Sequence, residues 1–230
     1  MALDIVESSQ IKSAWSIKRS AWIAIVCLIL GISVFIISYI GMVKNTGIGS
    51  FNHPILDWMI THRNSQITSI MQLITELANP INFIIIISII DILWRSIKRE
   101  IWRPVLLIGS AGAAAILSTI IKSITINSRP ITDNMIAPFE TDYSFPSGHT
   151  IIVVTFLLVL GYMICSRNSN LARIIIWEII VVVGFVLIAT SRLYLGYHWL
   201  TDVTASLGLG LIILGASIFV DIIISKYIKN

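Results

Sequence analysis

Apolar runs close to the ~20 residues a helix needs to cross a bilayer recur along the chain, separated by short polar segments. They cover 21–43, 80–94, 104–121, 146–165, 171–190 and 200–224, each rich in Ile, Leu and Val with few interior charges. This pattern predicts an all-α integral membrane protein with six transmembrane helices in one bundle, the chain 1–230 forming a single domain. The second run is the shortest and carries Asp91. Between the first two runs, 51–78 reads differently. Ile67, Ile70, Met71, Ile74 and Leu77 recur at helical spacing, with Gln66, Thr68 and Gln72 elsewhere on the wheel. Pro54 can open an earlier short helix containing Trp58. Two interfacial helices are therefore expected here, acting either as a lip for lipid entry or as a plain cap on the bundle.

Composition agrees with a membrane protein and excludes an ordinary soluble domain. Of the residues, 56% are hydrophobic and only 12% charged, and the mean hydropathy is +0.90. Eleven of the 16 Lys and Arg fall in the N-terminal segment, the segments after the second and fourth spans, and the C-terminal segment. The other five, Lys44, Arg63, Lys122, Arg129 and Arg192, lie in the alternate segments. The bias predicts both termini in the cytoplasm. The net charge of +4 then belongs to membrane-facing basic segments, and nothing points to nucleic acid. Cys27 and Cys165 both sit inside apolar runs and read as small hydrophobes.

Three polar strings interrupt this pattern. The first is Lys122 followed by Arg129-Pro130, the second Pro146-Ser147-Gly148-His149, and the third Ser191-Arg192, then His198 and Asp202. The first follows the end of the third span, the second opens the fourth, and the last joins the fifth to the sixth. An odd span's end and an even span's start lie on one side of the membrane, so all three strings meet at one face, the outer one.

Together they supply three cations, two imidazoles and one carboxylate, the groups needed to bind a tetrahedral oxyanion, attack it and protonate what leaves. Arg129 offers a planar fork and Lys122 a point charge for phosphate. Pro146 suits the first turn of a helix, whose free N–H groups and positive dipole end near Ser147 and Gly148 make an anion cradle. Glycine at 148 lets an oxyanion approach the backbone closely, with His149 beside it. If the chain is helical from about His198, then Asp202, four residues on, shares its face. Asp202 can fix the imidazole tautomer and leave the other nitrogen free to attack phosphorus. Arg192 can reach the same oxyanion. Taken singly, each string also has a structural reading: snorkelling cations, an interfacial histidine, a structural His–Asp pair.

These three strings, Lys122–Pro130, Pro146–His149 and Ser191–Asp202, resemble the three-part signature of the type 2 phosphatidic acid phosphatase superfamily, the lipid phosphate phosphatases. The similarity is greatest to small bacterial members acting on phosphatidylglycerol phosphate and undecaprenyl diphosphate. The resemblance implies roles by position. His198 is the nucleophile that becomes a phosphohistidine, Asp202 orients it, and His149 is the general acid. Lys122, Arg129, Arg192, Ser147 and Gly148 bind the phosphoryl oxygens. It also implies a lipid phosphate or diphosphate as substrate, no cofactor and no metal.

Two rival classes are weighed against this. A transporter would gather its charges near the bilayer midplane, often on broken helices, whereas these collect at one interface. Vanadate-dependent haloperoxidases share the anion site but are soluble. Away from the three strings, Asp91, Glu178 and Asp221 are expected to pair with Arg95, Arg99 and Arg173. The acids Asp133, Glu140 and Asp142, between the third and fourth spans, read first as an ordinary solvated loop, with tuning of substrate access as the alternative.

Overall fold

The computed structural model describes residues 2–130, 133, 135–166 and 170–228, and among these the side chains of 17–79, 82–130, 133, 135–166 and 170–226. Its described residues contain eight α-helices, one 3-10 turn and no strand. The helices are α1 (Ala2–Lys44), α2 (Asn52–Thr61), α3 (Ser65–Leu77), α4 (Pro80–Lys98), α5 (Trp102–Thr125), α6 (Gly148–Cys165), α7 (Leu171–Tyr194) and α8 (Leu200–Ile228). Helices α1, α5, α6, α7 and α8 each contain a stretch long and apolar enough to cross a membrane. The expected second span differs. Helix α4 meets the long-and-apolar criterion only together with α3, from which it is bent by 55°, so the pair is a broken span or a re-entrant loop and the crossings among the described residues number five or six. Helix α3, expected as a separate interfacial helix, forms one arm of this bent pair. Asn79-Pro80 lies at the bend, and a proline cannot continue the helix before it.

Helix α6 is the central post, packing against α5, α7 and α8. Its buried face includes Ile151, Val154, Val159 and Met163. The outward faces of α1, α4, α5 and α7 carry exposed Trp22, Ile84, Ile124 and Ile176. Apolar surface on this scale suits lipid rather than water. This is a multi-pass membrane protein.

Helix α1 lies along α8 at very short range, and glycine makes that possible. A Cβ built on Gly31 would stand 2.6 Å from the Gly208 carbonyl oxygen, and one on Gly208 would stand 2.7 Å from that of Gly31. Close backbone approach through small residues is the usual way membrane helices associate, because lipid supplies no hydrophobic drive between them. Across the same interface the Ser38 and Thr204 hydroxyls are 2.9 Å apart. This seam anchors the start of α8, where Asp202 stands.

The membrane acids do not pair as expected. Asp91 is buried with both carboxyl oxygens unpartnered, since its side of α4 faces the bundle while Arg95 and Arg99 are exposed. Asp221 instead accepts a hydrogen bond from the Tyr162 hydroxyl at 2.7 Å. Among the described residues, Glu178 forms no ion pair with Arg173. It borders a cavity that Arg19 also lines.

The seam yields a stability prediction. Gly208→Ala should destabilise the protein by about 1–3 kcal/mol, the usual cost of overpacking. Gly112→Ala, whose Cβ meets nothing within 4 Å, should not. Thermal unfolding in detergent compares them, and equal melting temperatures would remove the seam from the account.

Candidate active site

The end of α5, the start of α6 and the turn between α7 and α8 converge at one end of the bundle, with α3 beside them. Lys122 stands in the last turn of α5. That helix ends at Ile126, which takes the left-handed conformation (φ 49°, ψ 35°) and bonds its N–H back to the Lys122 carbonyl. A β-branched residue rarely adopts that backbone. The reversal returns Arg129 toward the α7–α8 turn.

Helix α6 begins one turn-position later than expected. Ser147 is extended (φ −74°, ψ 112°) and caps it, so Pro146 precedes the cap instead of occupying the first turn. The Ser147 oxygen accepts from the Thr150 hydroxyl at 2.9 Å, leaving its own hydrogen available to donate. Gly148 is the first helical residue. A Cβ there would meet only the Ser118 hydroxyl, at a relaxed 3.7 Å. Packing therefore does not require glycine at this position, whereas an oxyanion on the helix N-terminus would use the space.

The His198–Asp202 pair forms, though not on one helical face. Helix α8 starts at Leu200, so His198 lies in the turn before it. Asp202 is the third helical residue and reaches back, its Oδ2 accepting the Trp199 backbone N–H at 2.9 Å, one half of a capping box. The same oxygen lies 3.1 Å from His198 Nδ1. It also accepts a short hydrogen bond from the Ser144 hydroxyl. His198, Asp202 and Ser144 are all buried.

On the far side of the ring, Nε2 lies 3.2 Å from Arg129 Nη1. Guanidinium only donates, so Nε2 accepts and the proton rides on Nδ1 toward Asp202. Burial holds the His198 pKa well below the ordinary value, and Arg129, Arg192 and Lys122 push in the same direction. The neutral form with Nε2 unprotonated is the one favoured.

Arg129 is the hub of the cluster. Besides His198 it contacts the Tyr197 carbonyl through Nη1 at 2.6 Å, the Asp142 carbonyl through Nε at 2.7 Å, and Glu140 through Nη2 at 2.6 Å. Its Nη2 also pairs closely with the Asp142 carboxylate, which in turn holds Lys122. Arg192 is buried against the Tyr197 ring, 4.3 Å from its centroid. It donates to Thr75 of α3 at 2.7 Å and pairs closely with Glu140. Burial alone would raise both carboxyls. Arg192 and Arg129 overcome that at Glu140, and Lys122 and Arg129 at Asp142, so both lie below their ordinary values.

The solvated-loop reading of Glu140 and Asp142 is therefore corrected: both belong to the cluster. Ser144 and Thr75 were also absent from the sequence reading. A serine two residues ahead of the Pro-Ser-Gly-His string offered a positional hint, but Thr75, 117 residues from its partner, offered none. His149 borders a cavity of about 450 Å³ with Arg192, Glu140, Tyr197 and residues of α3.

The PAP2 superfamily model matches residues 103–221, which contain all three strings. Phosphatidylglycerophosphatase B of Bacillus subtilis (strain 168) is 31% identical over 121 residues, 50% of this chain and 56% of that protein, so the match spans little more than half of its length. The undecaprenyl-diphosphatase BcrC of the same organism is 30% identical over 161 residues, 67% of this chain and 75% of the relative. The crystal structure of a transmembrane PAP2-type phosphatidylglycerolphosphate phosphatase from Bacillus subtilis superposes with a TM-score of 0.74 at 25% identity, covering 84% of this chain and 96% of that one. The chain belongs to the PAP2 superfamily.

Gly148 supplies a test that needs no substrate. Gly148→Ala should fold with an unchanged melting temperature yet bind orthovanadate roughly tenfold more weakly, about 1.4 kcal/mol. Unaltered vanadate affinity, read from vanadate-dependent thermal stabilisation, would remove the helix N-terminus from the anion site.

Proposed function

We propose that this chain is a lipid phosphatase that removes the terminal phosphate from a lipid phosphate or diphosphate through a phosphohistidine intermediate. The observation that carries this reading is the buried His198 ring, with Nδ1 on Asp202 and an unprotonated Nε2 whose lone pair faces Arg129 of the three-cation cluster. Family membership adds independent support. On the basic-residue bias, the termini are cytoplasmic and the site opens on the extracytoplasmic side.

The reaction is two in-line displacements. Substrate phosphate enters the cluster and draws Arg129 off Nε2. His198 Nε2 attacks the terminal phosphorus, forming the P–N bond as the bond to the leaving oxygen breaks. Arg129, Arg192, Lys122 and the Ser147 and Gly148 end of α6 stabilise charge on the three equatorial oxygens. Asp202, aligned by Ser144, stabilises the imidazolium-like ring that results. His149, on the cavity wall, gives its proton to the leaving lipid oxygen. It then takes a proton from the water that attacks phosphorus, the P–N bond breaks, and phosphate departs. Permanent cations supply the charge stabilisation throughout, so no metal enters the scheme. Undecaprenyl diphosphate and phosphatidylglycerol phosphate are the proposed substrates, with relatives named for each.

The test is phosphate release from undecaprenyl diphosphate by detergent-purified protein in excess EDTA, with phosphatidylglycerol phosphate in parallel. Wild type should turn over and His198→Ala should not, while Asp202→Asn retains a residue of activity roughly 10²–10⁴-fold lower. Equal, mild losses in both variants would refute the assignment. A radiolabelled terminal phosphate should transfer to wild-type protein in an acid-labile linkage that His198→Ala lacks.

Ser144→Ala removes one hydrogen bond to a buried carboxylate, worth about 1.5–3 kcal/mol. It should lower kcat by roughly ten- to a hundredfold with little change in KM. Ser144→Thr should recover part of the loss. A KM effect with kcat intact would make Ser144 a binding residue instead.

A further inference from the structure

In the resting site every cation of the cluster is held by a carboxylate. Asp142 bridges Lys122 and Arg129, and Glu140 bridges Arg129 and Arg192. The cations lie deep, with side-chain exposures of 14%, 7% and 1%. The acids lie outside them, Glu140 at 23% and Asp142 at 58%. An arriving anion therefore meets the two carboxylates before it meets its cations. Both acids belong to irregular backbone between α5 and α6, so they can withdraw without breaking a helix.

Charge counting shows what such an arrangement selects. Three cations and two carboxylates leave a single net positive charge. A terminal phosphate brings two negative charges and three free oxygens, so it can replace both carboxylates at an unchanged balance, one oxygen for each cation. A phosphodiester, the form carried by bulk membrane phospholipids, brings one charge and two free oxygens. Exchanging both carboxylates for it raises the net charge from one to two and leaves a further buried cation uncompensated, which is costly where water is excluded.

We propose that Glu140 and Asp142 are specificity-determining residues. They occupy the phosphoryl-oxygen positions of the resting site, so that an anion binds only by displacing them and a phosphodiester fails to do so. This rests on the phosphatase reading above and extends it from what is cleaved to what is refused. Discrimination built on a repulsive element suits an enzyme surrounded by excess phosphodiester lipid.

The experiment measures binding rather than turnover. Dissociation constants for inorganic phosphate and for dimethyl phosphate, a soluble phosphodiester, are read from ligand-dependent thermal stabilisation at neutral pH. Wild type is compared with Asp142→Asn, Glu140→Gln and the double variant. The wild type should prefer phosphate strongly. Asp142→Asn should bind both anions more tightly, dimethyl phosphate most, so that the selectivity ratio falls by roughly tenfold. The double variant should lower it further. An unchanged or larger ratio in Asp142→Asn overturns the proposal, as does failure of both wild type and variant to bind phosphate. Asp142 is the more exposed acid, so this arm stands even if Glu140→Gln, which strands Arg192, does not fold. A chain that shows the predicted shift yet releases phosphate from no lipid refutes the phosphatase reading alone, so the two failures are distinguishable.

Discussion

Three like charges held together out of water are the constraint on which this site is built. Two unit charges about 4 Å apart repel by about 4 kcal/mol at an effective dielectric near 20, and Lys122, Arg129 and Arg192 form a mutually repelling set at the end of the bundle. A fold can hold such a set only if counter-anions accompany it. Glu140 and Asp142 supply them, and each bridges two cations instead of neutralising one. The cluster is thereby closed upon itself, with Arg129 common to both bridges.

The same field acts on His198, the proposed nucleophile. Burial of His198, together with the positive charge beside it, keeps the imidazole neutral, and Arg129 touches Nε2, the nitrogen proposed to attack. The cations thus keep the lone pair available while covering it. Asp202 opposes that field from the other side of the ring without protonating it, because its oxygen is shared among the ring, the Ser144 hydroxyl and the Trp199 N–H. The helix start at Leu200 sets this geometry, since the third helical residue is the one that reaches back.

Much of this was legible in the chain, and for identifiable reasons. Five of the six apolar runs reported crossings directly, because spanning a bilayer demands length and apolarity together and both are visible locally. The three strings reported the site because each sits at a helix end, where parity of the spans decides the side. Legibility ended where a contact depends on irregular backbone or on an element remote in sequence. Glu140 and Asp142 look like any solvated acids until the turn after Ile126 brings Arg129 back beneath them. Thr75 lies on a helix whose role depends on a 55° bend, which spacing does not reveal. Pro146 was assigned to the first turn because proline favours it, yet Ser147 caps the helix and displaces the proline outward.

The division of labour between membrane and site follows from these facts. Lipid offers no hydrophobic drive between helices, so the bundle depends on close packing such as the Gly31–Gly208 contact, which leaves little freedom along α1 and α8. That rigidity is useful only at the end where α8 begins, because there it fixes Asp202 and through it the His198 ring. The two acids lie outside the helices, on irregular backbone between α5 and α6, and their carboxylates are held against the cations by ion pairs. On the proposed reading, rigid groups position the attacking nitrogen, and displaceable groups guard the place where phosphate would sit. Reversing that assignment would leave the nucleophile loosely placed and the anion site permanently filled.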